Sequence, residues 1–393
     1  MSDLEVLFLV LALIYGCECA CWARRGSVTF RTWFGRRWRP AHPSALMGNQ
    51  RGGVVFGHPL PPLGTLLTGN QFPLSLSAEA VLAHVAPSVN PGWRPVQTGK
   101  FLRLNEIRNV EASGKKVFIN GEVLVKASSA TFATLVAQQL RQLIKLPLTE
   151  REGIIRKMIQ DSFDTKAIEN LWQNMHGETG RIRLLTNCLF GYLFLAAPVL
   201  CWFLGFRQCW ASLLAGLLVL TATTAVIFRR IHKTFYPAAE DERFTQFLTV
   251  LLSPATTIRA HDLLSRPLLE GFHPLAIAKV FCAEAEFREF AQSILREIRH
   301  PGLPVCPREE QAAQMAERHS RTVLSEVFEQ FLKQSGVEPT ELARPPARAD
   351  DTSRSYCPRC LAQFTTTEGI CADCGGLPLA PFPAEETEKQ KAR

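Results

Sequence analysis

The chain has 393 residues, 47% hydrophobic and 20% charged, with 44 Lys and Arg against 36 Asp and Glu for a net charge of +8. At about 150 residues per domain, this excludes a single small module and allows two or three structural units. The apolar content excludes a chain disordered throughout, and the mild basic excess is too small for a polybasic tail, so nucleic acid is not expected as a partner.

The apolar residues fall in blocks, the first over residues 4–15 and extended to residue 22 with Glu18 as an interruption. Its length is marginal for crossing about 30 Å of hydrocarbon. A signal peptide is the rival reading, but such peptides open with positive charge, whereas this one opens with Asp3 and Glu5 and has the bulky Tyr15 where a small residue would favour cleavage. Residues 1–22 are therefore expected to be an uncleaved transmembrane anchor. Arg24, Arg25, Trp33, Arg36, Arg37 and Trp38 follow it, basic and aromatic side chains that beside an anchor suit the headgroup layer and contact with membrane lipids.

Residues 40–95 are rich in Pro and Gly without sustained periodicity, and a loop-rich cytosolic segment is expected over 23–100. The Gly-rich run at 48–53 lacks the Lys-Ser or Lys-Thr of a phosphate-binding loop. Beyond it, residues 106–111, 116–120 and 122–126 read as short strands separated by Ser113-Gly114 and Asn120-Gly121. Asn-Gly suits a type I′ hairpin because both positions take positive φ at low cost. Ser128 or Ser129 then caps a helix with Phe132, Leu135, Val136, Leu140 and Leu143 on one face, giving a small α+β cytosolic domain with following helices over 101–182. Thr149 and Glu152 match a capping box ahead of the next helix.

Residues 184–206 and 209–228 are free of charge and each is long enough to span a bilayer. With Arg207 and Gln208 as the connection, they form a transmembrane hairpin over 184–228. Pro198 is expected to kink its first helix. Ala211 and Ala215, and Ser212 and Gly216, recur four apart and allow close helix approach. The arginines after the first segment, Arg181 and Arg183 before the hairpin, and Arg229, Arg230 and Lys233 after it place all three flanks in the cytoplasm by the positive-inside rule. An integral membrane protein follows, with the bulk of the chain and its C-terminus cytoplasmic.

A helical cytosolic domain is expected over 229–336. Phe244, Phe247, Leu248, Leu251 and Leu252 recur at helical spacing, Ser253-Pro254 caps and opens another helix, and residues 275–299 read as one long helix stopped by Pro301-Gly302. A helix over 308–334 carries Val323, Leu324, Val327, Phe328, Phe331 and Leu332 as a stripe suited to a partner helix, with internal packing favoured over self-association. A linker is expected over 337–355 and a disordered tail over 383–393.

The strongest motif is Cys357-Pro358-Arg359-Cys360 with Cys371-Ala372-Asp373-Cys374, the C-x2-C-x10-C-x2-C spacing of a four-thiolate zinc site. A cytosolic setting disfavours disulfides, and a redox-active pair needs a βαβ context that is missing. Residues 356–382 resemble a zinc ribbon, although Leu361 stands where a glycine often follows the second cysteine. The resemblance implies a structural zinc ion ligated by Cys357, Cys360, Cys371 and Cys374, with no position open for catalysis.

The expected fold class is thus an α-helical membrane protein with three transmembrane helices, a small α+β cytosolic domain, a helical cytosolic domain and a C-terminal zinc ribbon. The leading functional expectation is a membrane-anchored interaction or assembly protein presenting the ribbon to a cytosolic protein or to a second copy of itself. The alternative is a membrane-bound, metal-dependent hydrolase built on the adjacent His261 and Asp262 with His273, since a His-Asp pair supplies two metal ligands. No H-E-x-x-H, G-x-S-x-G or phosphate-loop motif is present.

Overall fold

The computed structural model describes residues 2–3, 5–11, 13, 39–40, 53–58, 65–70, 74–83, 100–300 except 128 and 266, and 311–383 except 375. Arg24, Arg25, Trp33, Arg36, Arg37 and Trp38, the second half of the expected anchor, Ser128, the start of the helix expected from residue 308, and residues 384–393 lie outside the described residues.

The α+β unit is built on three antiparallel strands, Val110–Ser113, Lys116–Ile119 and Glu122–Lys126. Asn120 and Gly121 both take positive φ, +52° and +85°, as the Asn-Gly signal requires. The Asn120 side chain also accepts from the backbone N–H groups of Arg108 and Asn109 at 2.9 and 3.1 Å, tying the turn to the preceding segment. Ser129 caps the helix Ala130–Lys145 by accepting from Phe132 N at 3.1 Å. Its buried face, Phe132, Val136, Leu140 and Leu143, packs on Val110, Val117, Ile119 and Leu124. The expected capping box at Thr149 does not form, because the helix Leu148–Asp161 starts one residue earlier and Thr149 already lies in its first turn.

The loop-rich expectation for 40–95 is corrected by strands. Gly53–His58 pairs with Thr65–Asn70, while Leu74–Leu76 and Ala80–Ala83 form a sheet with Lys100–Arg103. Every residue of both strands is buried; Leu74–Leu76 alternates over only 3 residues and Ala80–Ala83 is apolar throughout, so neither carries enough of the polar-apolar alternation by which a half-exposed strand is recognised.

Two helices, Gly180–Leu204 and Phe206–Phe235, are long and apolar enough to cross a membrane. The break between them is Gly205, at φ +79°, so Arg207 and Gln208 lie in the first turn of the second helix rather than in a connection. Pro198 lacks an N–H, and the helix meets it with a wide turn of i→i+5 type over Tyr192–Ala196. Contact between the two helices runs through Tyr192, whose hydroxyl donates to Leu213 O at 2.9 Å and occupies the space above Gly216. A Cβ at Gly216 would lie 2.5 Å from that hydroxyl, so the small residue is needed there. Near the tip, Cys201 Sγ lies 3.5 Å from Cys209 Sγ.

The described part of the first apolar segment, within residues 3–13, is helical; Leu7 and Leu11 pack against Leu189, Leu193 and Ala197 of the hairpin. Asp3 reaches Gly205, which sets the start of the chain at the hairpin tip.

After the hairpin come Glu240–Leu252, Pro254–Ile258 and Ala260–Ser265, with Ser253 accepting from Thr256 N as the expected cap. The single helix expected over 275–299 is two, Pro274–Phe281 and Glu284–Arg299, divided where Cys282 and Ala283 turn extended. Glu284 and Glu286 fall in the first turn of the second, where their charge favours a helix start. Both pack with the helix Gln311–Gln334, whose Val327, Phe328, Phe331 and Leu332 enter one core with Leu275, Phe287 and Leu295. The stripe is therefore internal. The segment expected as a linker contributes Val337 and, from the short helix Pro339–Leu342, Leu342 to the same core.

Candidate metal centre

The C-terminal unit hangs on very short strands. Ser355–Tyr356 pairs with Gln363–Phe364 and with Ala380–Pro381, and Ile370–Cys371 pairs with Leu377–Pro378. Tyr356 and Phe382 pack with ring centroids 5.1 Å apart, and the guanidinium of Arg348 lies 5.4 Å from the Phe382 centroid. Ser355 Oγ donates to Thr366 O at 2.7 Å, pinning the loop between the cysteine pairs. Among the described residues from 355 to 382 the buried ones are Ser355, Cys357, Cys371 and Phe382, too few to form a hydrophobic core.

Each C-x2-C pair sits in a tight backbone turn. Cys357 N donates to Ala362 O at 2.8 Å and Leu361 N donates to Cys357 O at 2.9 Å, which curls the chain around the first two sulfurs. Leu361 adopts φ +62°, the left-handed conformation that the missing glycine would take at no cost, and a side chain there costs about 1–2 kcal/mol. In the second turn Gly376, at φ +87°, donates to Cys371 O at 2.9 Å.

The four Sγ atoms lie within 4.8 Å of one another, with Cys360 and Cys371 3.7 Å apart. Four sulfurs placed about 2.3 Å from a shared ion in a tetrahedron stand about 3.8 Å from each other, so the set fits a tetrahedral metal ion. Burial raises the Cys357 thiol, but the backbone N–H groups of Cys360 and Arg359 outweigh it and hold the group below the usual thiol range. Burial, reinforced by the neighbouring thiols, pushes Cys374 well above that range. Four thiolates cannot share this space without a cation, and a bound cation would let all four ionise.

The other proposed ligands are dispersed. Asp262 accepts from Arg259 at 2.8 Å in a fully buried ion pair. Burial pushes His261 beside it down to about 4. His273 is a structural cap: its Nδ1 accepts from Leu275 N at 3.2 Å, its ring stacks on Phe163 at 4.3 Å, and burial pushes its pKa down to about 3. Among the described residues, the four cysteines are the group of His, Cys, Asp and Glu side chains close enough to share an ion, and His261, Asp262 and His273 form no such group.

One feature of the site has no sequence signal. The first cysteine turn abuts the helix Glu284–Arg299, where Arg296, Arg299 and His300 line a crevice with Tyr356, Pro358 and Leu361. Burial, with the charge of Arg299 added, lowers the pKa of His300 there. No protein-family model matches the sequence, and neither a curated protein nor a solved structure is detectably similar to it.

Proposed function

We propose that the protein is an integral membrane protein that presents a zinc ribbon to a cytosolic protein partner or to a second copy of itself. The observation that carries this reading is the cysteine centre, where the chain itself supplies four ligands and leaves no coordination position for substrate or water. Such a site is structural: Cys357, Cys360, Cys371 and Cys374 would hold zinc, and the ion would supply folding free energy to a unit that lacks a core. Zinc is the natural occupant of an all-sulfur tetrahedron with no redox demand, and metal analysis separates it from iron. Two helices long and apolar enough to span a bilayer, the first opening with Arg181 and Arg183 and the second ending with Arg229, Arg230 and Lys233, support a membrane anchorage with the ribbon in the cytoplasm. Lipids are then the second class of partner.

The test is crosslinked co-purification from native membranes, comparing the intact chain with one truncated before Tyr356. A partner, or a second copy, captured by the intact chain and lost on truncation is the expected result. Capture unchanged by the truncation would remove recognition from the ribbon. Thiol labelling of Cys306 from the outer face of sealed membranes would overturn the cytosolic placement.

A further inference from the structure

We propose that residues 244–258 form a re-entrant segment that dips into the acyl-chain layer of the bilayer beside the hairpin, a proposal that rests on the hairpin spanning the membrane. Between Arg243 and Arg259 the chain runs for 15 residues without a charge, FTQFLTVLLSPATTI. That length is too short to cross a bilayer and is typical of a buried core helix or a segment that enters and returns.

The packing separates those two. After Phe235 the chain reverses and Glu240–Leu252 runs back along the second span: Phe247 lies under the Arg229 guanidinium, 5.5 Å from its ring centroid, and Val250 packs with Ala225 and Phe228. Ile258, past the turn, joins Leu189 and Leu193 in the hairpin's own core. The segment has thus moved past the arginine flank and alongside the apolar spans. Five residues from Phe247 to Leu252, at 1.5 Å each, carry the turn about 7.5 Å beyond Arg229, the depth at which interfacial helices lie.

A core helix would cover its large apolar side chains. Here Leu252, at the turn, is 75% exposed, and Phe244, eight residues earlier on the same face, is 62% exposed. Leu248 between them is half-buried, so the face is continuous.

Lipid also demands that polar backbone groups find partners inside the segment. The turn meets part of that demand, although Gln246 Oε1 on the inner side of the segment is buried without a partner. Ser253 N donates to Thr249 O at 3.1 Å, Thr256 N to Ser253 Oγ at 3.3 Å, and Thr257 N to Ser253 O at 2.9 Å, while Pro254 has no N–H to place. The hydroxyls turn inward too: Thr249 donates to Thr245 O at 2.7 Å, and Thr257 donates to Val250 O and Ser253 O. On the return, the first charge, Arg259, is buried and neutralised by Asp262.

The test places a photoreactive benzophenone amino acid, one position at a time, at Phe203, Leu252, Phe244 and Leu148 of the full chain in phosphatidylcholine vesicles with clickable acyl chains. All four positions are exposed, Phe203 in the hairpin and Leu148 on the α+β unit. Lipid adducts are expected at Phe203 and at Leu252, at least about tenfold above Leu148, with Phe244 intermediate because it lies nearer the surface. Leu252 at the level of Leu148 while Phe203 reacts overturns this proposal alone. Phe203 at background overturns the spanning hairpin and the proposal with it. A photoreactive acyl chain applied to the unmodified protein gives a readout free of substitution: absence of label on the 244–258 peptide, with label on the hairpin, overturns the proposal.

Discussion

The meander of residues 110–126 and the ribbon of residues 355–382 each contain a three-stranded antiparallel sheet, yet they hold together by different means. The meander lays Val110, Val117, Ile119 and Leu124 under a helix that covers them with Phe132, Val136, Leu140 and Leu143. The outer ribbon strands contribute no comparable apolar layer, and two of its buried positions are the sulfurs of Cys357 and Cys371. A sheet with a helix over one face folds by removing apolar area from water. One with two-residue strands requires a centre that binds several parts of the chain at once.

Removing the metal tests this difference most severely. Chelation, or Cys371→Ser, is expected to release all bound metal and unfold residues 355–382, since structural zinc contributes about 10–16 kcal/mol in comparable small units. Amide exchange should show the ribbon exchanging freely while residues 110–145 keep their protection. Loss of protection in both would mean that the two regions fold as one.

The reverse experiment is Leu140→Ala, which empties a fully buried position in the meander's covering helix. A loss of about 2–5 kcal/mol is expected. Denaturant unfolding of the solubilised chain measures it, and metal content should not change.

A third contrast is in acid. Burial holds His273 down to about 3 and His261 down to about 4 in the folded body, against an ordinary value of 6.5. The unfolded chain therefore binds protons that the folded one refuses, so stability is full above about pH 6.5 and falls as pH drops toward those folded values. For His273 the loss at pH 5 is about 2 kcal/mol. His273→Asn keeps a capping side chain and removes the titration, so the fall between about pH 8 and pH 5 should shrink by that amount. An unchanged slope would show that His273 is already charged in the folded state.

The smallest effect is expected at the exposed Asp164, whose side chain accepts from Ala167 N at 3.0 Å and caps the helix Thr165–Glu178. Asp164→Ala should cost about 1 kcal/mol from the lost cap, read as a small shift of the unfolding midpoint.

The cysteine centre was legible in the sequence because its ligands come in two local pairs, and local spacing survives without knowledge of the fold. The Asn120-Gly121 turn and the Ser253 cap were legible for the same reason. What failed depended on contacts distant in sequence. Leu74–Leu76 and Ala80–Ala83 become strands by pairing with each other and with Lys100–Arg103, and at 3 and 4 residues they are too short to announce themselves by alternation. His273 reads as a ligand beside Asp262 in a list of residue types, but Phe163, 110 positions away, turns its ring into a stacked cap. The helix break at Cys282 and Ala283 has no Pro or Gly to mark it.

The helix Gly180–Leu204 gains from its wide turn at Tyr192–Ala196 a freedom that a regular helix lacks. Its buried positions beyond the start, Leu189, Leu193, Ala197 and Cys201, recur every four residues, a step that over-rotates a regular helix by roughly 40° each time. The wide turn takes rotation back and keeps the stripe on one side. Deleting a single residue within the wide turn lets it close to the regular i→i+4 pattern, and the steps left between Leu189 and Cys201 then make about three full turns, so the stripe stays in phase. The same deletion in the regular helix on either side would swing the tip by roughly 100° and carry Cys201 away from Cys209, so the wide turn is the place where this helix can lose one residue at least damage.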